Sequence, residues 1–333
     1  MGIHETASKI RWGILGAGGI AGAFAWSLGR LPDAELLAVG SRKQETADAF
    51  GEKYGIPRRY PGYAALANDP DVDVIYVATP HSLHRENTLL CLNAGKAVLC
   101  EKPFAINTTE TKEMIETARR KKLFLMEAMW MRFLPLVGHV RQIVSDGVIG
   151  EVRQFVGDFG FRAEFDPKNR LFDPALGGGA LLDIGIYPVS FASALFGNAP
   201  TRIVSMADIG QTGVDEQAAM VFGYKNGALA ILSCANRTRM TEEGEILGTA
   251  GMIRLPFPWW HPSRAVICLP DEADKPIDMP YEGNGYHYQA AETMRCLREG
   301  LFESPVMPLD ETLSIMKTLD AVRGQWNLRY PME

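Results

Sequence analysis

The glycine cluster near the start of the chain restricts its fold more than any other feature. Residues 10–15 form an apolar run that leads into Gly16-Ala17-Gly18-Gly19-Ile20-Ala21, and residues 20–31 read as a helix. This is a G-x-G-x-x-A pattern between a strand and a helix. Gly16 permits the tight turn, Gly18 removes a side chain that would block a pyrophosphate, and Ala21 lets the helix pack close to the strand. The helix start then offers free N–H groups and the positive end of its dipole. A glycine-rich turn built for packing alone is the competing reading. The preceding strand, the following helix and a second strand at 36–39 favour dinucleotide binding. Gly16, Gly18, Gly19 and Ile20 are the expected phosphate contacts.

Apolar runs recur at 10–15, 36–39, 74–78, 97–100 and 124–126, with helical stretches at 20–31, 45–54, 85–93 and 109–121. The runs are short and nearly continuous, as parallel strands covered on both faces should be. Repeated βα units imply a parallel sheet with right-handed crossovers. After about Trp130 the texture changes. Helices are expected at 134–144, 181–195, 288–298 and 311–326. Alternating strands are expected at 152–161, 202–209, 218–224, 228–235, 245–247 and 252–255. Lys225-Asn226-Gly227 reads as a hairpin turn. The fold class is therefore α/β followed by α+β: a Rossmann domain at 1–130, then a domain at 131–333 built on an open, mostly antiparallel sheet. The last helix has the option of packing back on the first domain.

The end of the second strand bears on which dinucleotide is bound. An NAD site usually has an acidic residue there for the ribose 2′-OH. This chain has Val39-Gly40-Ser41-Arg42-Lys43. Arg42 can take a 2′-phosphate through its planar fork, and Ser41 can donate to the same group. NADP(H) is thus preferred, with NAD(H) possible. A solvated basic turn is the bland alternative.

Candidate chemistry lies further on. The fifth apolar run ends in Cys100-Glu101-Lys102-Pro103, and ligands of open α/β sheets sit beyond the carboxyl ends of strands. Lys102 therefore points toward the nicotinamide region, and Lys102–Pro103 is a candidate cis bond. Three glycines, Gly177 to Gly179, precede Asp183 and Tyr187, which share a helix face. Singly, each has a bland role: a turn lysine, an aspartate at a dipole end, a packing tyrosine. Together they supply a proton-transfer phenol and a cation that favours its ionised form. His81 and His84 lack a third ligand nearby, so hydrogen bonding around the cofactor is favoured over a metal. No metal is expected. Among the scattered histidines His139, His261 and His287, only His287 draws interest, because Tyr286-His287-Tyr288 opens a helix.

Gly16 to Ala21, Glu101-Lys102-Pro103 and Asp183-Ile184-Gly185-Ile186-Tyr187, in this order, resemble the glucose–fructose oxidoreductase / inositol dehydrogenase / MocA family. Met126-Glu127-Ala128-Met129-Trp130-Met131-Arg132-Phe133 is similar to its branch of dimeric dihydrodiol dehydrogenases and NADP-dependent D-xylose dehydrogenases. The resemblance covers about residues 9–328. It implies a Rossmann domain followed by an open-faced sheet through which members often pair, so a homodimer or higher homo-oligomer is expected. It places the family's lysine, tyrosine and aspartate on Lys102, Tyr187 and Asp183. It sets Thr79, His81 and His84, with Glu101 and Lys102, along the cofactor. It puts aromatic substrate contacts at Trp130 and Phe159, and at Trp259 or Trp260, which also suit a dimer contact or core.

Composition narrows the partners. With 34 basic and 40 acidic residues the net charge is −6, so no bulk basic surface tracks nucleic acid. At 47% apolar and 22% charged the chain is neither disordered nor fibrous. Five cysteines without a CxxC pair argue against zinc or disulfide scaffolds. Met1 to Lys9 is polar without a signal pattern. The uncharged stretch 12–29 contains six glycines and changes from strand to helix, so it is not a membrane span. A cytoplasmic location is expected. The resulting expectation is an NADP-dependent oxidoreductase for a secondary alcohol or hemiacetal of a sugar or cyclic diol. The alternatives are an NAD-dependent glycoside hydrolase-type enzyme on this scaffold, or a non-catalytic NADP-binding regulator.

Overall fold

The computed structural model describes residues 8–333 other than 198. The first seven residues of the polar start, expected to lack a signal pattern, lie outside the described residues.

The five early apolar runs and one further segment, Arg58–Pro61, form six strands: β1 (Ile10–Leu15), β2 (Ala34–Ser41), β3 (Arg58–Pro61), β4 (Val74–Val77), β5 (Ala97–Glu101) and β6 (Leu125–Ala128). They alternate with α1 (Gly19–Leu28), α2 (Gln44–Tyr54), α3 (Tyr63–Ala67), α4 (His84–Asn93) and α5 (Thr108–Lys121). All pairings are parallel and the order is β3-β2-β1-β4-β5-β6. The order reverses between β1 and β4, which opens a crevice at their carboxyl ends. Successive residues face opposite layers. Trp12 and Ile14 face the core that holds Phe24 of α1, whereas Leu15 faces a separate core with Leu66 and Met114. The strand β3 escaped the sequence reading because Arg-Arg-Tyr-Pro is an edge segment with no apolar run, and every residue in it is partly exposed. The uncharged stretch 12–29 is divided between β1, the glycine turn and α1.

The second sheet contains β7 (Val152–Gly160), β8 (Arg202–Ile209), β9 (Asp215–Gly223), β10 (Leu229–Ala235), β11 (Gly244–Gly248), β12 (Met252–Leu255), β13 (Arg264–Cys268) and β14 (Lys275–Asp278). Its order is β14-β13-β12-β11-β7-β10-β9-β8, antiparallel except for β10 beside β7. The β9–β10 hairpin turns at Gly227, whose φ of +81° suits glycine. Helices α6 (Pro135–Ser145), α7 (Ile186–Phe196), α8 (Tyr286–Arg298) and α9 (Leu309–Gln325) complete the chain. One face of β8–β10 alternates outward: Val204, Met206, Val221 and Ile231 are exposed. The run Pro174–Phe196 is long and apolar enough to cross a membrane by length and composition, but 78% of its most apolar window is buried inside the protein.

The two sheets share one continuous core, which contains Trp12, Trp130, Phe155 and Tyr187. The helix α9 ties both halves together. It packs on α5 and β6 as well as α7 and β8. Asp320 accepts a bond from the Thr108 N–H at 2.8 Å, and Arg323 donates to the Ile106 carbonyl at 3.1 Å. These contacts tie α9, which packs on β8 of the second sheet, to the segment that leads from β5 into α5 of the first.

Candidate active site

The glycine turn is shaped by sterics. Gly16 has a φ of +105°, and a Cβ there would lie 2.8 Å from the Ala78 carbonyl oxygen. A Cβ at Gly18 or Gly19 would meet nothing within 4 Å, so the backbone is bare toward the crevice. The helix α1 has no side-chain cap and no acidic residue in its first turn, which leaves its N–H groups and dipole available to an anion. Ala21 is fully buried against the sheet.

A cavity of about 510 Å³ runs from this turn to the second sheet. Gly18, Gly19 and Ile20 line one part of it, and Lys102, Asp183 and Tyr187 line another. Thr79, His81, His84 and Glu101 contribute wall between them, and Phe159 and Trp260 close the aromatic side. The three chemical residues, the lysine and aspartate 81 positions apart, thus meet in one cleft. The Lys102–Pro103 bond is cis.

Lys102 Nζ donates to the Asp183 carbonyl at 2.5 Å and to Oδ1 at 3.2 Å. It stands 5.1 Å from the centre of the Tyr187 ring, over its face. The group that touches the phenol oxygen is different. Trp130 Nε1 donates to Tyr187 Oη at 2.9 Å. Burial drives the Tyr187 pKa up, opposed by this N–H. Asp183 is also buried, which alone would raise its pKa. Lys102, Arg170 and His81 outweigh burial and hold the carboxyl well below the usual carboxylate range. Arg170 Nη1 is 3.1 Å from Asp183 Oδ1, so one carboxylate serves two cations.

Local structure explains these positions. Gly177 and Gly179 have φ of +75° and +114°, and a Cβ on Gly179 would lie 2.3 Å from Asp215 Oδ1. Asp215 accepts the Leu181 N–H at 2.6 Å and so caps the turn that follows. That turn, Leu181–Gly185, is a π-helical segment that runs into α7. It differs from the regular helix expected at 181–195. Such segments recur at functional sites because they redirect side chains. The histidines are committed to backbone. His81 Nδ1 lies 2.9 Å from the Gly177 carbonyl, and His84 sits 2.7 and 2.9 Å from the Pro103 and Thr79 carbonyls. Burial pushes His81 down to about 3 and His84 down to about 4. Glu101 accepts from the Tyr76 hydroxyl and from the Lys102 N–H, and burial pushes it up to about 7.

Some expected site residues lie elsewhere. Trp259 is fully buried between Phe155 and Phe191, and its Nε1 donates to the Asp158 carbonyl. It is core, not a substrate contact, because only its neighbour Trp260 alternates toward the cavity. Trp130 is 2% exposed and stands behind Tyr187, stacked on Tyr286 at 4.6 Å. Ser41 ends β2 and Arg42 follows it, both outside the cavity lining, with Ser41 buried and Arg42 exposed. His287 turns away, 3.4 Å from Ser27 Oγ, whereas Tyr286 beside it lines the cavity. Arg170 and Tyr286 were missed by sequence reasoning. Arg170 carries no motif and sits in an irregular loop. Tyr286 carries a signal in the Tyr-His-Tyr helix start, where it, and not His287, lines the cavity.

Comparison with known proteins agrees with this architecture. Residues 10–129 match the GFO/IDH/MocA model of an oxidoreductase family with an NAD-binding Rossmann fold, and residues 137–254 match the GFO/IDH/MocA C-terminal domain. Trans-1,2-dihydrobenzene-1,2-diol dehydrogenase of Xenopus tropicalis is 36% identical over 96% of this chain and 99% of its own. The Homo sapiens protein of that name is 37% identical over 97% and 99%. An aldose–aldose oxidoreductase from Caulobacter crescentus, complexed with glycerol, superposes with a TM-score of 0.88 at 28% identity, covering 96% of this chain and 98% of that one. A 3-ketoreductase from Actinomadura kijaniata in complex with NADP and TDP-benzene gives 0.85 at 28%, covering 95% and 98%. The bare glycine turn and the adjoining cavity fit an NAD(P) cofactor, and the chain belongs to the GFO/IDH/MocA family of NAD(P)-dependent oxidoreductases.

Proposed function

We propose that this chain is an NADP-dependent oxidoreductase acting on a secondary alcohol or hemiacetal of a sugar or cyclic diol. The observation that carries the proposal is the convergence of Lys102, Asp183 and Tyr187 in a cavity whose far end is the Gly18-Gly19 turn. We divide the labour between a dinucleotide-binding domain at 1–130 and a substrate domain at 131–333. The N-terminal turn of α1 would hold the pyrophosphate, with Ser41 and Arg42 at a 2′-phosphate and Thr79, His81, His84 and Glu101 beside the nicotinamide ribose. The bound nicotinamide supplies the hydride acceptor or donor.

The chain's residues handle the proton. Tyr187 takes the substrate hydroxyl proton during oxidation and returns it during reduction. The Trp130 N–H on its oxygen stabilises the phenolate that forms. Lys102, fixed by the backbone carbonyl and Oδ1 of Asp183, presents its remaining N–H toward the substrate oxygen and lowers the cost of charge there. The parallel rings of Phe159 and Trp260, 4.5 Å apart, give one wall an apolar face that suits a sugar or diol ring. The dihydrodiol dehydrogenases and the aldose–aldose oxidoreductase named above support this substrate class, and the NADP complex supports the cofactor. The five thiols, none paired, suit a reducing cytoplasm. The outward apolar face of β8–β10 suits a second copy of the chain.

The test is a panel of aldoses, ketosugars and cyclic trans-diols followed at the NADPH absorbance with each cofactor. Turnover with NADP(H) on at least one sugar or diol is expected, with Arg42→Ala raising the KM for NADP at least about tenfold and leaving that for NAD nearly unchanged. NADPH binding without turnover of any panel member would instead favour a regulator.

A further inference from the structure

A second cavity, of about 610 Å³, lies between α6, α8 and the short 3-10 turn Trp130–Phe133. It shares no lining residue with the active site. Its polar side chains are unevenly committed. Arg132 grips Glu311 through both terminal nitrogens, at 2.9 and 3.1 Å, and its buried Nε has no partner among the described residues. Arg295 is held by Glu292 at 2.8 Å, and Arg298 by Asp33 at 2.7 Å. The two carboxylates in the lining, Asp33 and Glu292, are thus both taken. Two donors remain. Arg141 is half-buried and, among the described residues, makes no hydrogen bond or ion pair. The Tyr288 hydroxyl likewise has no hydrogen-bond partner among them.

A half-buried guanidinium without a counter-ion is costly. Burial and the adjacent Arg132 charge both lower the Arg141 pKa, opposed by Glu311. An acceptor-rich anion would relieve that imbalance. A phosphate offers three acceptor oxygens to a planar fork and a hydroxyl, and the space is larger than a bare phosphate requires.

We propose that this cavity binds a small organic phosphate, with Arg141 and Tyr288 holding its phosphate group. The site is separate from the dinucleotide turn. It adjoins the active site only through shared elements: Trp130 begins the 3-10 turn that carries Arg132, and Tyr286 begins α8.

Calorimetric titration tests the proposal on the full chain with excess NADPH present, so that the phosphate-binding turn of α1 is filled. The probes are inorganic phosphate and glycerol 3-phosphate, with glycerol as the uncharged control. Both phosphates should bind, and glycerol should not bind at the same concentrations. Arg141→Gln should weaken phosphate binding at least about tenfold, Arg141→Lys less, and Tyr288→Phe by a smaller factor again. Thermal unfolding of each variant shows that it is folded, and the tyrosine variant keeps the test open should the glutamine variant fail to fold. Absence of phosphate binding by the native chain, or equal affinity in native, Arg141→Gln and Tyr288→Phe proteins, overturns the proposal.

Discussion

Tyr187 holds its proton in surroundings that oppose ionisation, because the phenol is buried. The Lys102 ammonium lies over the ring face and bonds to Asp183, so the direct counterweight is the Trp130 N–H. This modifies the expectation that the lysine cation favours the phenolate. Removing the hydroxyl should remove the proton relay and little else. Tyr187→Phe is expected to lower kcat by about 10²- to 10⁴-fold and leave NADPH affinity unchanged, as read from steady-state rates and cofactor titration. A second residue gives a pH-dependent prediction. Burial pushes Asp215 up to about 7, against the pull of the Leu181 N–H. Unfolded, the group releases its proton near pH 4. Between those values the native state binds more protons than the unfolded state. Its contribution to stability therefore falls as pH rises, by at most about 1.4 kcal/mol per unit. Asp215→Asn keeps an acceptor for Leu181 and removes the titration. Denaturant melts should show the variant gaining on the native protein from about pH 5 to about pH 7. A difference that stays flat with pH would exclude ionisation of Asp215 as the cause.

At the scale of elements, the parallel strands were legible because burial on both faces leaves continuous apolar runs such as Val74–Val77. The edge strand β3 was not, since an edge needs no apolar run. Nor was β14, where Lys275-Pro276-Ile277-Asp278 is largely exposed and resembles a loop. The site divides in the same way. The glycine turn, Lys102, Asp183 and Tyr187 carry local spacing that announces them, and the structure brings them together. Arg170 reaches Asp183 from an irregular loop, and the Trp130–Tyr187 bond joins residues 57 positions apart, so neither leaves a periodic trace. The π-helical turn was also hidden, because its cause is a tertiary contact: Asp215 on β9 capping Leu181 after Gly179. Gly179 is the weak point of that device. Gly179→Ala would force a Cβ against Asp215 at a positive φ, and should destabilise the fold by about 1–3 kcal/mol in urea melts. Part of the loss should appear as reduced turnover in the surviving native fraction, because the displaced turn carries Asp183. Native-like stability would show that the β9 contact does not set the turn.

For the whole molecule, the decisive feature is that one core spans both sheets while one sheet face remains open. The continuous core and α9 fix the position of the cavity between the halves, so the site depends on global packing and not on either half alone. The open face has a different consequence. Val204 and Met206 on β8 are 63% and 78% exposed, with Val221 and Ile231 beside them on β9 and β10. Large side chains repeated outward over three neighbouring strands form a contiguous apolar surface, which soluble chains seldom leave in water. A second copy placed on the same face satisfies twofold symmetry, since each patch meets its equal. The pairing proposed above therefore predicts a homodimer that Val204→Glu with Met206→Glu converts to monomer, by like-charge repulsion and desolvation at the centre of the patch. Light scattering across a dilution series measures the mass directly. The residues lie away from the cavity lining, so the monomer should retain cofactor binding. A native chain that is monomeric throughout, or a double variant as dimeric as the native chain, would remove this face from the assembly and require another explanation for its apolar side chains.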